Sequence, residues 1–203
     1  MSPKVSEDHQ TERRDQILNA AVTCFAKNGF HKTSMKEICQ EAELSPGAVY
    51  SYFSSKDEII ESVYQICEQE NINIFQQTQD HSGSMQEQVE FSLSGFKKLL
   101  EDKKSQPWIR ADLMFRGEAL TNPTLMKLGK ANYQTVIDEL YKLVDTWQEK
   151  GEISPELDTK ATAQLLFSMV NDVGFQKMLD PNMDIDAYFK SLIAIVMGNF
   201  KTD

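Results

Sequence analysis

The sequence predicts an all-α chain of about nine helices, and three observations carry that expectation. Glycine and proline are scarce, nine and six in 203 residues, and most of them stand between segments of helical period. Serines and threonines suited to capping stand immediately ahead of the early apolar runs. No alternation of apolar and polar residues runs long enough to build a strand.

The elements follow in order. Ile17, Leu18, Ala20, Ala21, Cys24 and Phe25 recur at steps of three and four from about Thr11 to Asn28, and Gly29 stands where a helix C-cap is expected. Thr33 and Ser34 then precede MKEICQEA, and Ser34 with Glu37 has the spacing of a capping box, so a second helix is expected from about Met35 to Ala42. After a short turn through Glu43 and Leu44, Ser45 can cap a third helix, about Pro46 to Tyr52, with proline at the first position where its missing N–H is harmless. Ser54 or Ser55 caps a long fourth helix starting near Lys56, whose Ile59, Val63, Ile66 and Cys67 keep one apolar face. Further helices are expected near Ser84–Asp102, Gln106–Leu120, Asn122–Lys150, Thr159–Leu179 and Met183–Asn199, with breaks at HSGS, Pro107, Pro123, GEISPEL and Pro181.

Composition narrows the function. No apolar run approaches the roughly 18 residues that span a bilayer. The polar N-terminus MSPKVSEDHQ lacks the apolar centre of a signal peptide, so a cytoplasmic protein without a membrane partner is expected. Cys24, Cys39 and Cys67 show no CxxC spacing and read as small buried groups, and His9, His31 and His81 lie far apart, so neither a disulfide framework, a metal nor a cofactor is expected. No Ser-His-Asp or Cys-His set, phosphate-cradling loop or dinucleotide fingerprint appears, which argues against an enzyme. The net charge of −10 is unevenly spread: residues 1–56 hold seven basic and seven acidic side chains, leaving fourteen basic and twenty-four acidic in residues 57–203. An acidic body repels phosphates and confines any nucleic-acid contact to the neutral N-terminal end.

Two short helices joined by a tight turn, with another packed in front, form a trihelical DNA-binding unit whose last helix enters the major groove. In SPGAVYSYFSSK, Val49 and Phe53 suit the core, whereas Ser45, Gly47, Tyr50, Ser51, Tyr52 and Lys56 can face DNA, with Lys36 and Lys56 flanking. Lys4, Arg13 and Arg14 offer a basic arm that Glu7, Asp8, Glu12 and Asp15 dilute.

At these residues the sequence resembles the TetR family: Ile17-Leu18, Ala20-Ala21, Phe25 and Gly29-Phe30, then TSMKEICQEAELSPGAVYSYF at Thr33–Phe53, then SSKDEII at Ser54–Ile60. The resemblance implies a DNA-binding domain over 11–56, its helix-turn-helix at about 34–53, and a larger helical effector-binding and dimerisation domain over 57–203 that the fourth helix enters. It implies that Thr33 or Ser34 meets a phosphate, that Lys36 lies near the groove, and that Ser45, Pro46, Gly47, Ala48, Tyr50, Ser51 and Tyr52 belong to the recognition helix. Tyr50 and Tyr52 then contact the backbone or position that helix, and Lys56 binds phosphate at the start of helix four. Where the family commonly has alanine in helix two and glycine in the turn, this chain has Cys39 and Glu43. The expected function is that of a dimeric repressor on a palindromic operator in double-stranded DNA, released by a small molecule.

The resemblance places the effector pocket among helices four to seven, giving Trp108, Met114, Phe115 and Tyr133 as candidates for an apolar or amphipathic effector. Asp112 and Glu118 would suit a cationic one. It also pairs the last two helices with their copies in a homodimer through Leu165, Met169, Val173, Phe189, Leu192 and Val196. Those helices are apolar on more than one face, and such a surface needs a cover.

Overall fold

The computed structural model describes residues 7–200. Ten helical segments are present among them: α1 Glu7–Lys32, α2 Met35–Glu41, α3 Pro46–Tyr50, α4 Lys56–Asp80, α5 Met85–Glu101, α6 Gln106–Ala119, α7 Pro123–Glu149, α8 Thr159–Asn171, α9 Val173–Leu179 and α10 Ile185–Phe200. The all-α architecture is as the sequence predicts. The helix expected over Thr159–Leu179 is divided at Asp172, where Asn171 and Asp172, residues that favour helix ends over interiors, close α8 before α9 starts. Lys4 lies outside the described residues.

The chain forms two compact units. The first comprises the chain up to Cys67 together with Gln106–Met126, so α6 belongs with α1–α3; the second comprises Glu68–Ser105 and the chain from Lys127 onward.

In the first unit α1 packs against α2 and α6, and its stripe of Ile17, Leu18, Ala21, Val22 and Phe25 is fully buried with Ile38, Val49, Phe53 and Ile59. Gly29, with φ 78° and ψ 166°, interrupts α1, and one more turn follows it. The left-handed φ is one that glycine adopts without penalty. Phe25 and Phe30 meet edge to face across this kink at 4.9 Å.

α2 starts in a full capping box: the Ser34 hydroxyl accepts from the Glu37 N–H, and the Glu37 carboxylate accepts from the Ser34 N–H at 2.7 Å. That backbone hydrogen bond, then the one from the Ser34 hydroxyl, holds the Glu37 carboxyl below its ordinary pKa. α2 ends in a Schellman motif, the Leu44 N–H reaching Cys39 O at 3.0 Å and the Glu43 N–H reaching Gln40 O at 3.1 Å. Glu43 occupies the left-handed position, φ 53°, the only non-glycine to do so among the described residues. A β-carbon there costs roughly 1–2 kcal/mol. Glu43→Gly is therefore expected to stabilise the protein by about 1 kcal/mol, raising the melting temperature by roughly 2–4 °C; an unchanged or lower transition by calorimetry would show that the side chain compensates.

The second unit is built on a core of Phe75, Leu93, Val136, Leu143, Val144 and Trp147, joined by residues of α8–α10. α10 packs on α5 and contributes one inward stripe, Ile185, Phe189, Leu192 and Val196. Local caps define its elements as well: Ser84 and Glu87 form a second capping box, and the Asp158 carboxylate accepts from the Ala161 N–H at 2.7 Å.

Candidate nucleic-acid interface and effector cavity

The segment from Ser34 to Tyr52 exposes one continuous set of small and hydrogen-bonding groups. Ser45 caps α3 by accepting from the Ala48 N–H at 3.2 Å, and Pro46 fills the first helical position. The helix is anchored by Val49 and Phe53, both buried, so its other faces stay open: Ser45, Pro46, Gly47, Tyr50 and Ser51 are exposed, Ala48 and Tyr52 half-buried. A β-carbon on Gly47 would meet nothing within 4 Å, so no internal neighbour requires glycine there. Lys36 and Ser34 are exposed beside it on α2. The Gln16 side-chain amide donates to Ala42 O at 2.7 Å, tying the C-terminal end of α2 to α1.

Two candidate phosphate contacts, Thr33 and Lys56, make internal hydrogen bonds. Thr33 is 1% exposed, and its hydroxyl donates to the carbonyls of Gly29 at 2.8 Å and Cys24 at 3.2 Å. The Lys56 ammonium donates to Phe30 O at 2.7 Å, Thr33 O at 2.9 Å and His31 O at 3.4 Å. Lysine carries three N–H donors, so this set closes the C-terminal end of α1 while the ammonium keeps its charge. Arg14 lies over the Phe53 ring at 4.8 Å and donates to the Ser62 hydroxyl at 3.1 Å, while Arg13 donates to Gln16 at 2.7 Å. Arg14 thus links α1 to Phe53 and α4, while the Arg13 bond stays within α1.

The candidate effector residues separate. Trp108, Met114 and Phe115 lie in the first unit and Tyr133 in the second. Phe115 is buried with its ring stacked on Tyr64, centroids 3.4 Å apart, and Tyr133 is 38% exposed with its hydroxyl accepting from Gln164 at 3.1 Å. Asp112 pairs with Arg116 at 2.6 Å, its other oxygen is buried without a partner, and burial pushes its carboxyl pKa up. Glu118 pairs with His31 at 2.9 Å. None of these six lines the apolar cavity that the structure holds in the second unit.

That cavity is small, about 50 Å³, and stands partly open to solvent; its walls include Phe75, Leu93, Leu143, Trp147, Met169 and Leu192. Its sequence signal was the spacing of large apolar groups on α4, α5, α7, α8 and α10, which core packing shares. Beside it runs a buried polar chain that the sequence did not reveal. The Trp147 indole N–H donates to Gln88 at 2.6 Å, and the Gln88 amide donates to Thr78 O at 3.1 Å and His81 O at 2.9 Å. Gln88 and Trp147 are both 3% exposed, and the amide's oxygen and both its N–H groups are satisfied. A wall of the cavity is thereby tied to the last turn of α4.

The expected dimer residues also divide. Val173, Phe189, Leu192 and Val196 are buried in the unit's own core, Met169 packs half-buried against it, and only Leu165 faces outward. The outward apolar groups are Leu165, Phe175, Leu179 and Ile195. Periodicity identifies an apolar helix but does not say which face meets its own fold.

Among the described residues no group of three metal-ligating side chains converges, and no helix is long and apolar enough to cross a membrane. A capped helix-turn-helix with an open recognition face defines a DNA-binding regulator. The family described as bacterial regulatory proteins, tetR family, matches residues 17–63. The HTH-type transcriptional regulator UidR of Escherichia coli K12 is 30% identical over 170 residues, covering 82% of this chain and 84% of that protein. The structure of Salmonella enterica GusR superposes with a TM-score of 0.80 at 25% identity, over 98% of this chain and 100% of that one. FadR of Bacillus subtilis in complex with stearoyl-CoA gives 0.78 at 22% identity, over 92% and 98%. The chain belongs to the TetR family and is a DNA-binding transcriptional regulator; these relatives are regulators rather than enzymes.

Proposed function

We propose that the protein is a homodimeric repressor of a palindromic operator, and that an apolar or amphipathic small molecule in the second unit's cavity releases it. The contacts assigned to DNA are Ser34 and Lys36 on α2 and Ser45, Pro46, Gly47, Ala48, Tyr50, Ser51 and Tyr52 on and around α3. The observation that carries the DNA side is the open face of α3, held from behind by Val49 and Phe53 and free of any internal demand at Gly47. Lys36 and Ser34 suit phosphates, while Gly47 and Ser51 are short enough for base edges.

Dimerisation is supported by α10, whose outward face carries Ala187, Ser191, Ala194 and Gly198 beside Ile195. Small side chains at helical spacing let a partner helix approach closely, and Leu165 adds exposed apolar area on α8. A two-fold dimer presents its recognition helices to half-sites roughly 34–36 Å apart.

Release is supported by the chain from Trp147 through Gln88 to the Thr78 carbonyl of α4, since α4 begins at Lys56 immediately after the DNA-reading segment. The neighbour in complex with stearoyl-CoA shows that a protein of this fold takes an acyl ligand. A ligand shifts the equilibrium only by its differential affinity, and about 5.5 kcal/mol moves a population from 99:1 to 1:99.

Selection of bound duplexes from random DNA tests the operator assignment. The expected product is an inverted repeat with half-sites one helical turn apart, and Ser51→Ala should change the preferred half-site. Unrelated sequences without an inverted repeat would overturn it.

A further inference from the structure

The chemistry of the cavity narrows its ligand beyond the class proposed above, on which this inference rests. We infer that the site takes an uncharged, largely aliphatic molecule whose single polar group is a hydroxyl or carbonyl held by Ser92. The described lining residues include no Asp, Glu, Lys, Arg or His, and only Thr78 and Ser92 bring polar side chains. The Thr78 hydroxyl already donates to Ile74 O at 2.7 Å. Trp147, whose indole N–H could have served a ligand, is committed to Gln88. Ser92 stands in the wall, half-buried on α5, with a hydroxyl that has no hydrogen-bond partner among the described residues.

A carboxylate or ammonium drawn into this space would leave water and find no counter-charge, a loss that apolar contact does not restore. An uncharged hydroxyl has one donor and two acceptor sites and can exchange a hydrogen bond with Ser92, while its chain lies against Phe75, Leu93 and Met169. Asp112 and Glu118, the carboxylates that suited a cationic effector, already face Arg116 and His31 in the other unit.

The test compares n-octanol, octanoate and octylammonium at pH 7 and submicellar concentration on the full-length Trp108→Phe protein, in which Trp147 is the remaining tryptophan. Saturable change in Trp147 emission is expected with octanol, and affinities at least tenfold weaker for the two ions. Ser92→Ala should lower octanol affinity several-fold with an unchanged melting temperature, a separation that a packing role for Ser92 would not give. Equal or tighter binding of either ion, or no saturable response to octanol, overturns the inference. Operator binding, followed in parallel, separates the two ideas. Octanol that binds without weakening operator affinity sustains the ligand class and removes the effector reading. An ion that binds as tightly as octanol and releases the operator removes the class and sustains the effector reading.

Discussion

Replacing Leu165 and Ile195 together by glutamate is expected to turn the proposed dimer into a monomer and to lower operator affinity by at least about a hundredfold, because one half-site retains only part of the specific contacts. Both residues are apolar and about half exposed, 46% and 51%, so the single chain tolerates charge there while a dimer interface does not. The companion variant sharpens the result. Leu192 and Val196 are 8% and 2% exposed within the core that α10 forms with α5, so glutamate at those two positions should abolish folding rather than separate subunits. Light scattering with circular dichroism distinguishes the two outcomes. A Leu165→Glu, Ile195→Glu protein that stays dimeric with native affinity would place the interface elsewhere, with Phe175 and Leu179 of α9 the next exposed apolar pair.

The contrast between those residue pairs shows where the sequence was legible. Signals that act within a few residues could be read directly: Ser34 with Glu37, Ser45 with Pro46, and Ser55, whose hydroxyl accepts from the Glu58 N–H at 3.2 Å, all appear as caps. The departure from glycine at Glu43 was visible too, and the structure gives its consequence as a left-handed residue with a side chain. What escaped depends on the partner of a side chain. Leu165 and Leu192 are the same residue type on two apolar helices, and only tertiary packing makes one surface and the other core. The same holds for Gln88, an unremarked glutamine in QEQVEF whose three hydrogen bonds span residues from Thr78 to Trp147. The same ambiguity attends Trp108, Met114, Phe115 and Tyr133: large apolar groups are equally the material of a core, and Phe115 is buried and stacked on Tyr64.

Lys56 carries the other large expected effect. Its ammonium reaches the carbonyls of Phe30, His31 and Thr33, which follow the kink at Gly29 and have no further helical turn to bond with. A cation at a helix C-terminus is favoured both by these hydrogen bonds and by the dipole. Lys56→Met keeps most of the stem and removes the donors, leaving partly buried carbonyls to find water, at a cost of about 2–3 kcal/mol. The melting temperature should fall by roughly 5–10 °C. Operator affinity should fall as well, because the link between the end of α1 and the start of α4 sets the position of α3 between them. The decisive measurement is the dependence of nonspecific duplex binding on salt, taken well below the melting transition. With its three donors on the carbonyls of Phe30, His31 and Thr33, Lys56 is expected to neutralise no phosphate, and the slope of log K against log salt should match that of the unmodified protein. A slope shallower by about one counterion would return Lys56 to the phosphate backbone.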